Sequence, residues 1–290
     1  MTTHPARAYL LPALAAAALA LCASPSPGQA PASPAASAPA FEQRFGAAAQ
    51  AVTAKLRAMP RKAACADSGL ARALLSLEKA AILHQSRSAF ASPKGDADAE
   101  LAIAESWVKS PKPAEPADWR GFHELAFISP LDLSAQPCLL YVPSTFDGKT
   151  PLPLLIFLHG YAGDLNKVNW RDYMYSPSLQ AVCEELGYAL LLPFARGNTE
   201  FMGVGEEDVL YALNLVKQRI PVDESRVVMS GASMGGSGAY SIACHYPHLF
   251  SGVFTVTGRV DYYLWMKKDK SSFPPFKQFW LDNDYARELL

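Results

Sequence analysis

The chain has 290 residues, half of them hydrophobic, with 26 basic against 27 acidic side chains and only six histidines. That length suffices for one sizeable core with a smaller appendage. A net charge of −1 removes any electrostatic reason to expect nucleic acid or an anionic membrane surface as partner.

The opening "MTTHPARAYLLPALAAAALALCASPSPGQA" reads as an export signal over residues 1–23: Arg7 in a short leading region, then an Ala-rich apolar run holding Pro12, too short to span a bilayer. It predicts a secreted or periplasmic protein. Cys22 after "LAL" raises a lipid anchor, but Leu21 stands where such sites prefer a small residue, which argues against one. Residues 24–40, rich in Pro, Ala and Ser, cannot build a core and predict a tether. Beyond the signal, Cys65, Cys138, Cys183 and Cys244 are too widely spaced for a small-domain disulfide framework or a zinc pattern. No pairing is predicted.

Residues 41–118 predict a small helical region. Phe41, Phe45, Ala48, Val52, Leu56 and Met59 recur at steps of three and four until Pro60 stops them. A second helix fits Gly69 to about Gln85, and a weaker third spans roughly Asp96 to Lys109 before "SPKPAEPADW". The region has no catalytic signature and reads as a packing appendage rather than a partner-binding module.

Residues 119–290 form the second predicted domain. "FHELAFISPL" and "CLLYVPSTF" alternate as strands do, and "FDGKTPLP" supplies turn chemistry after them. "LPLLIFLHG" and "GYALLLPFARG" are continuous apolar runs, as in strands buried on both faces, with a helical pattern between them from Ser178 to Leu186. "GEEDVLYALNLVKQRI" is an amphipathic helix with Val209, Leu213, Val216 and Ile220 on one stripe. "RVVMSGAS" runs from strand into turn, and "GVFTVTG" predicts another buried strand. The alternation places the chain in the α/β class: a doubly wound, mostly parallel sheet preceded by the helical region.

Gly231-Ala232-Ser233-Met234-Gly235 fits Gly-x-Ser-x-Gly between a β-branched run and a small-residue helix. A serine on so tight a strand-to-helix turn is lifted above the sheet edge, and the flanking glycines are there because a Cβ would clash. The helix N-terminus also aims backbone N–H groups at charge developing beside the serine. Acyl transfer needs a second donor, and "FLHGYAGD" at the end of the earlier strand can supply one. The oxyanion-hole donors are then the N–H groups of Tyr161 and Met234, with His159 a structural residue.

The two stretches "YVPSTFDGKTPLPLLIFLHGYAGD" and "LLPFARGNTEFMGVGEEDVLYALNLVKQRIPVDESRVVMSGASMGGSGAYSIACHYPHLFSGV" together resemble the α/β-hydrolase superfamily. Within it they are similar to secreted esterases related to polyhydroxybutyrate depolymerases and feruloyl esterases, and to prolyl-oligopeptidase-like hydrolases. The resemblance covers roughly residues 120–260 and implies Ser233 as nucleophile with Tyr161 and Met234 as oxyanion donors. It also places "PFARGN" at the edge of the site, where Arg196 either binds substrate or pins loops.

The serine needs a general base and an orienting carboxylate, in this fold in the chain order Ser, Asp or Glu, His. Only His245 and His248 follow Ser233, both on the helix and exit loop directly after it, and they read as structural. A catalytic His is therefore not expected among these residues. Asp261, after "GVFTVTG", is the candidate acid. Tyr262, Tyr263, Trp265, Phe273, Phe276 and Trp280 either wall an acyl pocket or pack a crossover. The expectation is a hydrolase domain whose last strands are missing, a fragment inactive unless the chain continues past Leu290. Three readings stand: an esterase acting through an acyl-enzyme on a small-molecule or polymeric ester, a serine peptidase, and a non-catalytic binding protein on a hydrolase fold. No metal or organic cofactor is implied, because no ligand spacing or phosphate-cradling loop occurs.

Overall fold

The computed structural model describes residues 40–60, 69–86, 95–109, 118–163 and 165–260. The export signal, the tether to Pro39, Cys22, Cys65, Asp261 and the aromatic residues from Tyr262 to Trp280 lie outside them. Among the described residues, no helix is long and apolar enough to cross a membrane.

Three helices come first: α1 (Phe41–Ala58), α2 (Gly69–Ser86) and α3 (Ala97–Lys109). Phe45, Ala48, Val52 and Leu56, the predicted stripe of α1, are all buried. The strands follow as β1 (Gly121–Ile128), β2 (Ala135–Val142), β3 (Leu152–Leu158), β4 (Ala189–Pro193), β5 (Val222–Ala232) and β6 (Gly252–Val256). Between them lie α4 (Trp170–Met174), α5 (Pro177–Leu186), α6 (Val204–Lys217), α7 (Met234–His245) and a 3₁₀ turn at Pro247–Leu249. The ends of α5 show why local sequence decides boundaries. Ser176 Oγ accepts from Leu179 N–H, Pro177 opens the first turn, and Gly187 closes the helix at φ 68°.

The strand order in the six-stranded sheet is β1-β2-β4-β3-β5-β6. The β1–β2 and β2–β4 pairs are antiparallel, whereas β4, β3, β5 and β6 run parallel. The sheet thus starts with an antiparallel hairpin and then winds to either side of β3, leaving an open α/β sheet.

Alternation along the strands feeds separate apolar layers. Cys138, Leu140 and Val142 of β2 join Leu154, Ile156 and Leu158 of β3 in the layer beneath α6 and α7. Leu139 and Tyr141 face the other way, with Leu155, Leu190 and Leu192, beneath Trp170, Met174 and Cys183 of α4 and α5. The third layer unites α1, α2 and α3 with Ala126, Ile128 and Ala135 of the first hairpin. The N-terminal helices therefore share a core with the sheet, reinforced by the Lys79–Glu124 and Lys167–Glu78 ion pairs.

One expectation is corrected. The "GVFTVTG" segment does form a strand, β6, but an exposed one, with Phe254 52% and Val256 53% accessible. It pairs with β5 alone among the described strands and so lies at the edge of the described sheet.

Candidate active site

The parallel strands bring together segments that lie far apart in sequence. In the β3–β5 pair, Leu158 stands opposite Gly231. The residues immediately after each partner, the His159–Gly160 turn and the Ser233 turn, therefore leave the sheet side by side at its carboxyl edge, where ligand sites of open α/β sheets lie. A Cβ built on Gly160 would be 3.8 Å from Ser233 Cβ and 3.6 Å from Ala232 O, which measures how closely the two turns meet.

Ser233 has φ 53° and ψ −115°, a conformation that costs a residue with a side chain of order 1–3 kcal/mol. Its surroundings impose it. Ser233 N–H donates to Val256 O at 2.8 Å, and Ser233 O accepts from Ser237 N–H at 3.1 Å as α7 begins. A Cβ on Gly231 would meet Gly235 O at 2.3 Å, and one on Gly235 would meet Leu158 O at 2.1 Å. Both obstacles are backbone atoms, so glycine is required at both positions, as the sequence predicts. Met234 is the first residue of α7, where backbone N–H groups have no intrahelical acceptor.

His159 is 5% accessible, and both ring nitrogens face carbonyls: Nδ1 lies 2.8 Å from Gly160 O and Nε2 3.2 Å from Phe194 O. Burial pushes its pKa down, against the pull of the two carbonyls, so the ring is neutral at pH 7. Phe201, fully buried, packs edge-on against the imidazole at 5.0 Å. These contacts make His159 a strut beneath the Gly160 turn.

The remaining described histidines sit elsewhere. His245 Nδ1 is 2.9 Å from Glu206 at the far end of α7, and His248 is on the 3₁₀ turn. His123 Nε2 contacts Trp119 O, and His84 lies 3.5 Å from Glu42. Asp261, the candidate acid, is the residue after the last one described.

Arg196 links three segments of the chain. Its Nε donates to Asp208 Oδ2 at 2.5 Å, its Nη2 to Ser129 Oγ at 2.9 Å, and its Nη1 to Asp132. The guanidinium bonds two carboxylates and a hydroxyl, contacts that fasten loops together. Burial would raise the Asp132 carboxyl, but hydrogen bonds from Arg196 and Ser134 outweigh it and hold the group below the usual range. For Asp208, 1% accessible, burial prevails and pushes the carboxyl up against the pull of Arg196.

Sequence reasoning passed over Asn198 and Tyr173. Asn198 Oδ1 accepts from Ala162 N–H at 3.1 Å and its Nδ2 donates to Ala162 O at 2.5 Å, while Tyr173 Oη donates to Tyr161 O at 3.3 Å. The one available signal was the place of Asn198 in "PFARGN", directly after a strand carboxyl end.

Residues 193–289 match the prolyl oligopeptidase family model. No curated protein sequence matches the chain. Among solved structures, an S-formylglutathione hydrolase from Staphylococcus aureus is 19% identical over 61% of this chain and 73% of its own, with TM-score 0.42. Oligopeptidase B from Leishmania major is 16% identical over 59% of this chain and 24% of its own, with TM-score 0.44. An S-formylglutathione hydrolase from Agrobacterium tumefaciens is 22% identical over 49% and 60%, with TM-score 0.38. None of these likenesses is close enough to speak for an activity. The open, mostly parallel sheet with a serine lifted on a glycine-bounded turn between β5 and α7 gives the chain an α/β-hydrolase-like fold.

Proposed function

We propose that the protein is a secreted serine hydrolase that cleaves carboxylic esters, with Ser233 as nucleophile. The observation that carries this reading is the Leu158–Gly231 pairing, which sets the strained Ser233 turn against the Gly160 turn. In the proposed reaction Ser233 Oγ attacks the ester carbonyl, and its proton passes by way of a general base to the oxygen of the departing alcohol. The carbonyl oxygen gains negative charge between the N–H groups of Tyr161 and Met234, the alcohol leaves, and water releases the acid from the acyl-enzyme. Loss of one such donor costs about 10²- to 10³-fold in rate elsewhere. Asp261 is the proposed acid. The general base is assigned to none of the described histidines, and no histidine follows His248 in the sequence.

Export through residues 1–23, a tether over residues 24–40 and a hydrolase domain from residue 119 belong to the same proposal. Their check is the N-terminal residue of the protein recovered outside the cytoplasm. A peptidase is the second reading, favoured by the family match over residues 193–289.

The test is covalent labelling by a fluorophosphonate, with Ser233→Ala as control, followed by turnover of matched ester and amide substrates. Labelling that the substitution abolishes, with esters turned over, supports the esterase. Amide turnover of comparable rate moves the assignment to the peptidase. Full-length product from the source cell left unlabelled sinks both and favours a binding protein on a hydrolase fold.

A further inference from the structure

We infer that Asn198 and Tyr173 are positioning residues that lock the Tyr161–Ala162 peptide and thereby hold the oxyanion-binding turn in register with Ser233, an inference that rests on the serine-hydrolase reading above. Three successive carbonyls of the turn are held. Gly160 O faces His159 Nδ1 at 2.8 Å, Tyr161 O accepts from Tyr173 Oη, and Ala162 O accepts from Asn198 Nδ2. The Ala162 N–H is held as well, by Asn198 Oδ1. Both ends of the Tyr161–Ala162 peptide are thus tied, one to Tyr173 and the other to Asn198. The described peptide bonds are all trans, so the Tyr161 N–H points away from the Gly160 carbonyl that His159 faces. The Tyr161 N–H lies in the Gly160–Tyr161 peptide, and the tied Tyr161–Ala162 peptide fixes the far side of Tyr161, so a turn of that neighbouring plane that would swing the N–H off line strains the bonds from Tyr173 and Asn198.

The residue type at 198 follows from the task. Bridging the N–H and C=O of one residue requires a donor and an acceptor on adjacent atoms, which the asparagine amide supplies. Aspartate lacks the donor and leucine lacks both. Asn198 is itself anchored. Ala195, Arg196, Gly197, Glu200 and Phe201 all have φ between 43° and 74°, a segment too strained to hold its shape unaided. Two residues before Asn198, Arg196 fastens that segment to Asp132, Asp208 and Ser129. Thr199 Oγ1 donates to Ala195 O at 3.0 Å on the other side. The clamp therefore transmits the rigidity of a buried ion cluster to a turn whose glycines, Gly160 and Gly163, would otherwise leave it soft.

The experiment compares the full chain with Asn198→Ala and Tyr173→Phe by amide exchange at Ala162, followed by NMR, and by fluorophosphonate labelling resolved into the maximal rate and the half-saturating concentration. Asn198→Ala is expected to speed exchange at Ala162 about 10-fold or more by local opening. It should lower the maximal labelling rate by about 10- to 10²-fold, less than deleting a donor outright, with half-saturation little changed. Tyr173→Phe should act in the same direction with a smaller effect, and it carries the test if Asn198→Ala does not fold. Unchanged exchange at Ala162 in both variants overturns the clamp, as does an unchanged maximal rate. If the unsubstituted chain is never labelled, the nucleophile reading falls by itself, and exchange at Ala162 alone decides whether the peptide is locked.

Discussion

Gly236 and Gly258 pack backbone against backbone, so closely that a Cβ built on Gly258 would lie 2.6 Å from the carbonyl carbon of Gly236. The contact seats the turn after β6 on the first turn of α7. Two bonds reinforce it: Ser233 N–H to Val256 O and Arg259 N–H to Ser237 Oγ, both 2.8 Å. Gly258→Ala must push the two segments apart, at roughly 1–3 kcal/mol for such overpacking. Denaturant unfolding should show that loss, whereas Gly252→Ala, with nothing within 4 Å of the added Cβ, should be close to neutral.

Arg196 and Asp208 form a pair whose side chains are 17% and 1% accessible. Removing the cation leaves a buried carboxylate uncompensated, so Arg196→Ala should cost about 3 kcal/mol, the lower end for buried pairs. Asp208→Asn should cost less, because burial already pushes that carboxyl toward its neutral form. Reversal of that ranking in thermal unfolding would mean that the Asp208 carboxylate matters beyond its pairing with Arg196.

Ser233 carries its side chain at φ 53° and ψ −115°, where glycine is far less strained. Ser233→Gly and Ser233→Ala should both abolish covalent labelling. The glycine variant should nevertheless be more stable than the alanine variant by about 1 kcal/mol, the relief of strain being partly offset by glycine's greater freedom in the unfolded chain. Equal stabilities would show that the turn is not strained at this position.

Asp147 holds the β2–β3 turn by accepting from the N–H groups of Lys149 and Thr150 and from Thr150 Oγ1. Those bonds favour the carboxylate and bring its pKa from the usual 3.8 to about 2. The folded-state value lies below the unfolded one, so the contribution to stability is complete above about pH 4 and fades as pH falls through about 2. Asp147→Asn should be less stable than the unsubstituted chain at pH 7, and the gap should narrow across that window.

The elements that build the site were legible because each obeys a local rule. The stripe of α6 at Val209, Leu213 and Val216 is buried as its spacing requires, and Gly231 and Gly235 announced the turn they permit. Arg196 was legible only as a pair of alternatives. Its partners Asp132 and Asp208 are brought to it by β1–β2 pairing and by the crossover into α6, which no local pattern encodes. Asn198 and Tyr173 left less trace, since each acts through single hydrogen bonds to a backbone distant in sequence. The apolar run Val253–Val256 announced a strand correctly, but hydrophobicity does not say where in a sheet a strand sits.

The three N-terminal helices roof over Ala126, Ile128 and Ala135 at the first hairpin. A shortened chain starting at Asp118 would present that patch to water on its own sheet face, together with Glu124 stripped of Lys79. Such a piece should clump as its concentration rises, even with every strand of the sheet still present. Any dissection of this protein into smaller working parts therefore has to carry the helices along with the sheet they cover.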